Sequence, residues 1–133
     1  AITYIQTPQA TQSIVANMKQ DVSNQVNYIF STNDLYRNGL PDWAYHWGSN
    51  LPRAATGIFL LNAVKLGETG SHSVQETQQH AQDFLHFFHG QNPLNMVYLT
   101  NMASYGGEHS SFQFYHAWYG DTFNAYSLQN FIG

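Results

Sequence analysis

Trp43, Tyr45 and Trp47 alternate in the stretch Trp43-Ala44-Tyr45-His46-Trp47, which closes a polar loop. Each ring has an apolar face and a polar edge, so together they could form a platform on which pyranose rings stack. The same three rings would serve equally well as plugs between helix ends. Farther on, Tyr115 and Trp118 flank His116, whose imidazole could donate to a sugar hydroxyl between aromatic walls, although a histidine beside aromatics is often purely structural. Glu108 and Asp121 bracket that group and are the carboxylates nearest to it, as a two-carboxylate hydrolase would need. Their closeness in sequence fits loop capping better. Asp42, beside Trp43, can cap its own turn or meet a sugar hydroxyl. His80, His86 and His89 share one stretch with Asp83, and His86 and His89 at i,i+3 would face one way, as zinc ligands do. A partly polar helix side, with Phe84, Leu85 and Phe88 claiming the buried one, explains these histidines without a metal, and no metal ligand is assigned.

Composition narrows the partners. Charged residues are 9% of the 133-residue chain, against roughly a quarter in an ordinary soluble domain. Amides, hydroxyls and aromatic rings, the last at 16%, must therefore cover the surface, a mixture suited to sugar hydroxyls and to the apolar faces of sugar rings. Lys19, Arg37, Arg53 and Lys65 stand against eight carboxylates, so no basic stripe exists to neutralise a phosphate backbone, and nucleic acid is set aside. The absence of cysteine excludes disulfides, thiolate metal sites and a cysteine nucleophile. There is no Gly-x-Ser-x-Gly elbow, phosphate-binding loop or Gly-x-Gly-x-x-Gly turn. No apolar run approaches the roughly 18 residues of a membrane span, so no membrane partner is expected. The start, Ala1-Ile2-Thr3-Tyr4, is no secretory leader and has no initiating Met, which places the expected natural N-terminus upstream.

The elements that would position these residues are helical. Thr7-Pro8 reads as a cap and first helical position, followed at helical spacing by Ile14, Val15, Met18, Val22, Val26, Ile29 and Phe30. A helix is therefore expected from Pro8 to Phe30. Turn formers from Ser31 to Asp42 lead irregularly into the aromatic cluster. Asn50 then offers a cap, and Leu51, Ala54, Ala55, Ile58, Leu61 and Val64 form a stripe that stops at Gly67, on a helix nearly apolar all round. Ser73-Val74-Gln75-Glu76 matches a capping box ahead of Val74, Thr77, Ala81, Phe84, Leu85 and Phe88, and Gly90 ends that helix. Beyond Asn92-Pro93 the pattern weakens, with loops and a short helix between Ser110 and Trp118 expected. There is no internal repeat and no strand-type alternation, so the class is all-α, in a single domain large enough to bury about two thirds of its unfolded surface.

Two segments, in this order and spacing, resemble the glycoside hydrolases of family 9. One is Trp47-Gly48-Ser49-Asn50 running into the apolar helix Ala54 to Val64; the other is Asp83-Phe84-Leu85-His86-Phe87-Phe88-His89-Gly90-Gln91-Asn92-Pro93-Leu94 with Val97-Tyr98-Leu99 behind it. The segment from Glu108 to Trp118 looks like a divergent Glu-x-Ser-x-x-x-Phe-Tyr-His-x-Trp version of the family's His-His-x-Arg signature. The likeness runs from about Leu40 to about Thr122.

The resemblance implies part of an (α/α)6 barrel, a six-hairpin toroid with long aromatic loops, in which residues 1–133 are one partial domain from the C-terminal half. It implies inverting hydrolysis of β-glycosidic bonds in β-glucan or a related glycan, outside the cell or in the periplasm. The substrate-binding residues would be Trp43, Tyr45, Trp47, Tyr115, His116 and Trp118, with His116 standing for a groove histidine that here has no arginine after it. Family members use an aspartate of an Asp-Ala-Gly-Asp motif as base and a late glutamate as acid, about 6.5–9.5 Å apart across the scissile bond. This chain has no such motif, and its last glutamate, Glu108, precedes His116. No catalytic residue is therefore assigned to it, and a noncatalytic carbohydrate-binding or scaffold domain is the alternative. No cofactor is expected here, with calcium left open for the parent protein. An isolated arc of a barrel leaves apolar faces that the rest of the barrel or a second copy of the chain would cover.

Overall fold

A computed structural model of the chain describes residues 2–32, 34–46 and 48–111. Among them are helices α1 (Ile2–Ile5), α2 (Gln12–Ser31), α3 (Asn50–Leu66) and α4 (Val74–Phe88), and two short strands, β1 (Val97–Thr100) and β2 (Ser110–Ser111). The all-α class expected from the sequence is what the structure shows. The described residues up to 85 and those from 86 to 111 fall into two compact units.

In the first unit α2 begins later than its apparent cap. The Thr7 hydroxyl donates back to the Thr3 carbonyl at 2.8 Å and the Ala10 amide to the Thr7 carbonyl at 3.0 Å, so Pro8 lies in a turn. Thr11 takes over as the capping position, its amide bonded to the Tyr4 hydroxyl rather than to a helical carbonyl. From there α2 buries Val15, Val26 and Ile29, with Val22 and Phe30 packed half-buried against the core.

Helix α3 turns a different face inward from the one its apolar stripe suggested. Arg53, Gly57, Leu60 and Ala63 are buried, while Leu51, Ile58 and Leu61 are 77%, 61% and 47% exposed. A helix apolar on nearly every side carries no hydrophobic preference for one face, so close packing decides. Gly57 is where it decides: a Cβ there would sit 3.2 Å from the Cβ of Phe84 and 3.4 Å from the Ala81 carbonyl oxygen, so a bare backbone lets α4 come close. Gly67 ends α3 in a left-handed conformation (φ 72°). Its amide reaches the Val64 carbonyl and the Glu68 amide the Ala63 carbonyl, the paired bonds of a Schellman stop.

The capping box of α4 forms as read: the Glu76 amide donates to Ser73 Oγ at 3.1 Å, and the Ser73 amide donates to Glu76 Oε2 at 2.8 Å. Thr77, His80, Ala81, Asp83 and Phe84 are its buried residues in this unit, and Val74 and Leu85 are exposed. His80 and Asp83 thus lie on the packed side, not on a polar outer one. Val26, Ile29, Leu40, Ala44, Leu60, Ala63, Ala81 and Phe84 make one continuous core.

In the second unit the chain leaves α4 through a turn, and His89 bridges Val97 antiparallel. β1 and β2 pair in parallel, Val97 with Ser110 and Thr100 with Ser111, with an irregular register between the pairs. The inward face of α3 sets a contrast that urea denaturation can read: Leu60→Ala should destabilise the 133-residue chain by about 3 kcal/mol. Ile58→Ala should change it by less than about 0.5 kcal/mol; equal losses would mean the assigned face is wrong.

Candidate functional site

The loop from Asp34 to His46 carries the described aromatic candidates, and its shape follows from polar contacts. Asp34 Oδ1 accepts the amides of Tyr36 (2.9 Å) and Asn38 (3.1 Å), folding the chain back on itself. Asn38 is fully buried; its amide group donates to the Tyr36 carbonyl at 2.9 Å and its Oδ1 accepts from Arg53 Nε at 3.2 Å. Arg53 is only 4% exposed, and its guanidinium lies 5.9 Å from the Tyr45 ring centre. The Tyr45 hydroxyl in turn accepts the Leu40 amide at 3.0 Å. With Leu40 and Ala44 in the core, the short turn Asp42–Ala44 leaves Trp43 standing 75% exposed.

Trp43 borders a cleft of about 380 Å³ between the second half of α2, the loop and the start of α3. Tyr28, Leu40 and Phe59 give it an apolar lining, and Gln25 and Thr56 supply polar groups. Of the sequence candidates, Trp43 therefore faces the cleft, whereas Tyr45 braces the loop through its hydroxyl and its contact with Arg53. Trp47, Tyr115, His116 and Trp118, with Asp121, lie outside the described residues.

Beside the loop, His80 and Asp83, which the sequence reading weighed only with the helix histidines, meet Arg37. Arg37 Nε is 2.9 Å from Asp83 Oδ2, and His80 Nδ1 is 3.8 Å from the same oxygen. Burial lowers the affinity of the His80 imidazole for a proton; Asp83 works against that, while Arg37 and His72 add to it. The sequence signal for the neighbouring pair was Arg53 itself, a cation inside an apolar helix with no acid one turn away. A charge so placed must find a buried partner.

In the second unit Asn92, 4% exposed, explains the Gly-x-Asn-Pro motif physically. Its Nδ2 donates to the carbonyls of Phe87 (2.7 Å) and Met96 (2.8 Å), and its Oδ1 accepts the amides of Leu94 (3.1 Å) and Met96 (3.2 Å). One side chain thus ties the end of α4 to the turn leading into β1. Beside that turn a more polar cleft of about 500 Å³ is lined by His89, Gln91, Asn95, Glu108 and His109. The His86 and His89 rings are 6.0 Å apart, and no group of three or more potential metal ligands occurs among the described residues.

Carboxylates are sparse at both clefts. None lines the first, and Glu108 is the single one lining the second, so neither sets two carboxyl groups across a trough. Among the described residues no helix is long and apolar enough to cross a membrane. Asn92→Ala, which removes four side-chain bonds to the backbone, should cost about 2–3 kcal/mol in urea unfolding and expose the Leu94 and Met96 amides to hydrogen exchange. Unchanged exchange at those amides would contradict the role given to Asn92.

Comparison with known proteins gives a single result. No curated protein and no solved structure matches the chain. The family model described as Glycosyl hydrolase family 9 matches residues 1–129, in agreement with the likeness carried by the Trp47-Gly48-Ser49-Asn50 and Gly90-Gln91-Asn92-Pro93 segments, and the chain belongs to that family.

Proposed function

We propose that the chain forms part of the wall of a glycan-binding groove in an inverting hydrolase of β-glucan or a related polysaccharide, without the catalytic base and acid. Membership of a glycoside hydrolase family makes the substrate class carbohydrate. The observation that carries the finer reading is Trp43, an indole open to solvent on the rim of an apolar cleft, on a loop anchored by Asn38, Leu40 and Tyr45. An exposed aromatic face beside a few amide and hydroxyl groups suits a pyranose ring, which has an apolar face and a rim of hydroxyls.

Two features support the absence of the catalytic pair. The sequence has no Asp-Ala-Gly-Asp, and neither described cleft opposes two carboxylates. In this reading the pair comes from sequence beyond these 133 residues, and Trp47, Tyr115, His116 and Trp118 extend the aromatic wall. The exposed Leu51, Ile58 and Leu61 of α3 suit an arc of an (α/α)6 barrel completed by further helices. The parent enzyme acts outside the cell or in the periplasm, where polysaccharide is met.

Titration calorimetry with cellotetraose tests the groove. Trp43→Ala should weaken binding roughly threefold or more, and unaltered affinity would remove Trp43 from the wall. A turnover assay with the same oligosaccharide should show no hydrolysis by the chain alone. Hydrolysis that disappears in Glu108→Gln would overturn the missing pair.

A further inference from the structure

His80 is 1% exposed and occupies an aromatic slot, with the Phe30 ring centre at 4.5 Å and the Phe84 ring edge-on at 5.2 Å. Its Nε2 is buried with no hydrogen-bond partner among the described residues. Its Nδ1 lies 3.8 Å from the Asp83 oxygen that Arg37 approaches to 2.9 Å. One carboxylate oxygen is thus within reach of two potential cations, one permanent and one that exists only when the imidazole is protonated. The permanent one belongs to a residue held at φ 58°, a left-handed conformation that a non-glycine residue adopts at a cost and keeps when its surroundings fix it.

We propose that His80 is the proton-sensing part of a latch on the loop: neutral, it leaves Asp83 to hold Arg37 against α4; protonated, it competes for Asp83 and frees residues 34–37. The loop's share of the Trp43 cleft wall begins at Gly39, just beyond the freed segment, so the latch sets how firmly that part of the wall stands. The bond from Asn38 to Arg53 and the core positions of Leu40 and Ala44 keep the release local.

Every element packed on His80 contributes to the balance. α4 presents Asp83, which favours the cation, and the loop presents Arg37, which opposes it. The turn after α3 presents His72, stacked on Phe30 at 3.6 Å, which also opposes it when charged. α2 presents the uncharged Phe30 ring. Burial is the largest influence and, with the two cations, it outweighs Asp83, so folding lowers the proton affinity of His80. The sign follows from linkage. An unfolded histidine binds its proton near pH 6.5, the folded one only at lower pH, so the closed state is fully favoured above about 6.5 and loses ground as the pH falls below it.

Hydrogen exchange of the Tyr36, Arg37 and Asn38 amides, all bonded to Asp34, reads the latch directly in the 133-residue chain. After correction for intrinsic rates, protection in the unmodified protein should drop by about tenfold or more between pH 7.5 and pH 5. His80→Phe, which fills the slot and cannot titrate, should hold its protection across that range, and Arg37→Gln should be weakly protected throughout. Acid sensitivity in His80→Phe equal to the unmodified protein, or full protection in Arg37→Gln, overturns the proposal. Should His80→Phe fail to fold, the ring-proton titration of His80 in the unmodified protein decides instead. A midpoint shared with the loss of loop protection supports the latch, and two separate midpoints refute it.

Discussion

Arg53 is the constraint on which the loop and its cleft depend. A guanidinium taken out of water is costly unless hydrogen-bonded, and in a chain with 9% charged residues few partners are at hand. One partner is Asn38, itself without solvent contact and held by its own bond to the Tyr36 carbonyl. Both groups are buried, so breaking their bond leaves the Asn38 side-chain carbonyl oxygen unsatisfied, and the loop between α2 and α3 is therefore anchored in its middle. Tyr45 stacks near the guanidinium and takes the Leu40 amide, which fixes the outgoing half. Trp43, between the buried Leu40 and Ala44 and the braced Tyr45, stays 75% exposed.

Much of this was legible in the residues, where local chemistry decides. The Ser73/Glu76 capping box and the stop at Gly67 depend on a few neighbouring atoms, and both formed where the sequence placed them. The face of α3 was not legible, because its apolar residues surround the helix and the decision rests on the small volume of Gly57 against Phe84. Nor was the start of α2, since the turn at Pro8 is set by bonds back to Thr3 and forward to Ala10. His80 and Asp83 read as an outer polar side because a sequence shows polarity but not partners. The partner of that carboxylate is Arg37, 46 positions away by residue number, which no local pattern reveals.

The candidate site was legible in part. The aromatic cluster lies in a loop that borders a cleft, yet alternate spacing did not say which ring would be open and which would brace. Tyr45 has a hydroxyl within reach of the Leu40 amide; Trp43 has no such anchor and faces the cleft. The Gly-x-Asn-Pro motif, read as a family likeness, has a structural reason of its own in the four bonds of Asn92. Family membership and the geometry of Asn92 thus meet in one motif, which carries the likeness and also ties the end of α4 to the turn before β1.

If the buried anchor is what presents Trp43 to a sugar, a side chain that cannot touch the ligand should still govern its binding. The affinity of Asn38→Ala for cellotetraose, measured by calorimetry on protein whose circular dichroism remains helical, is the direct reading. A loss as large as that from removing the Trp43 ring is the expected result. An affinity equal to that of the unmodified chain would show that the indole finds its place without the anchor.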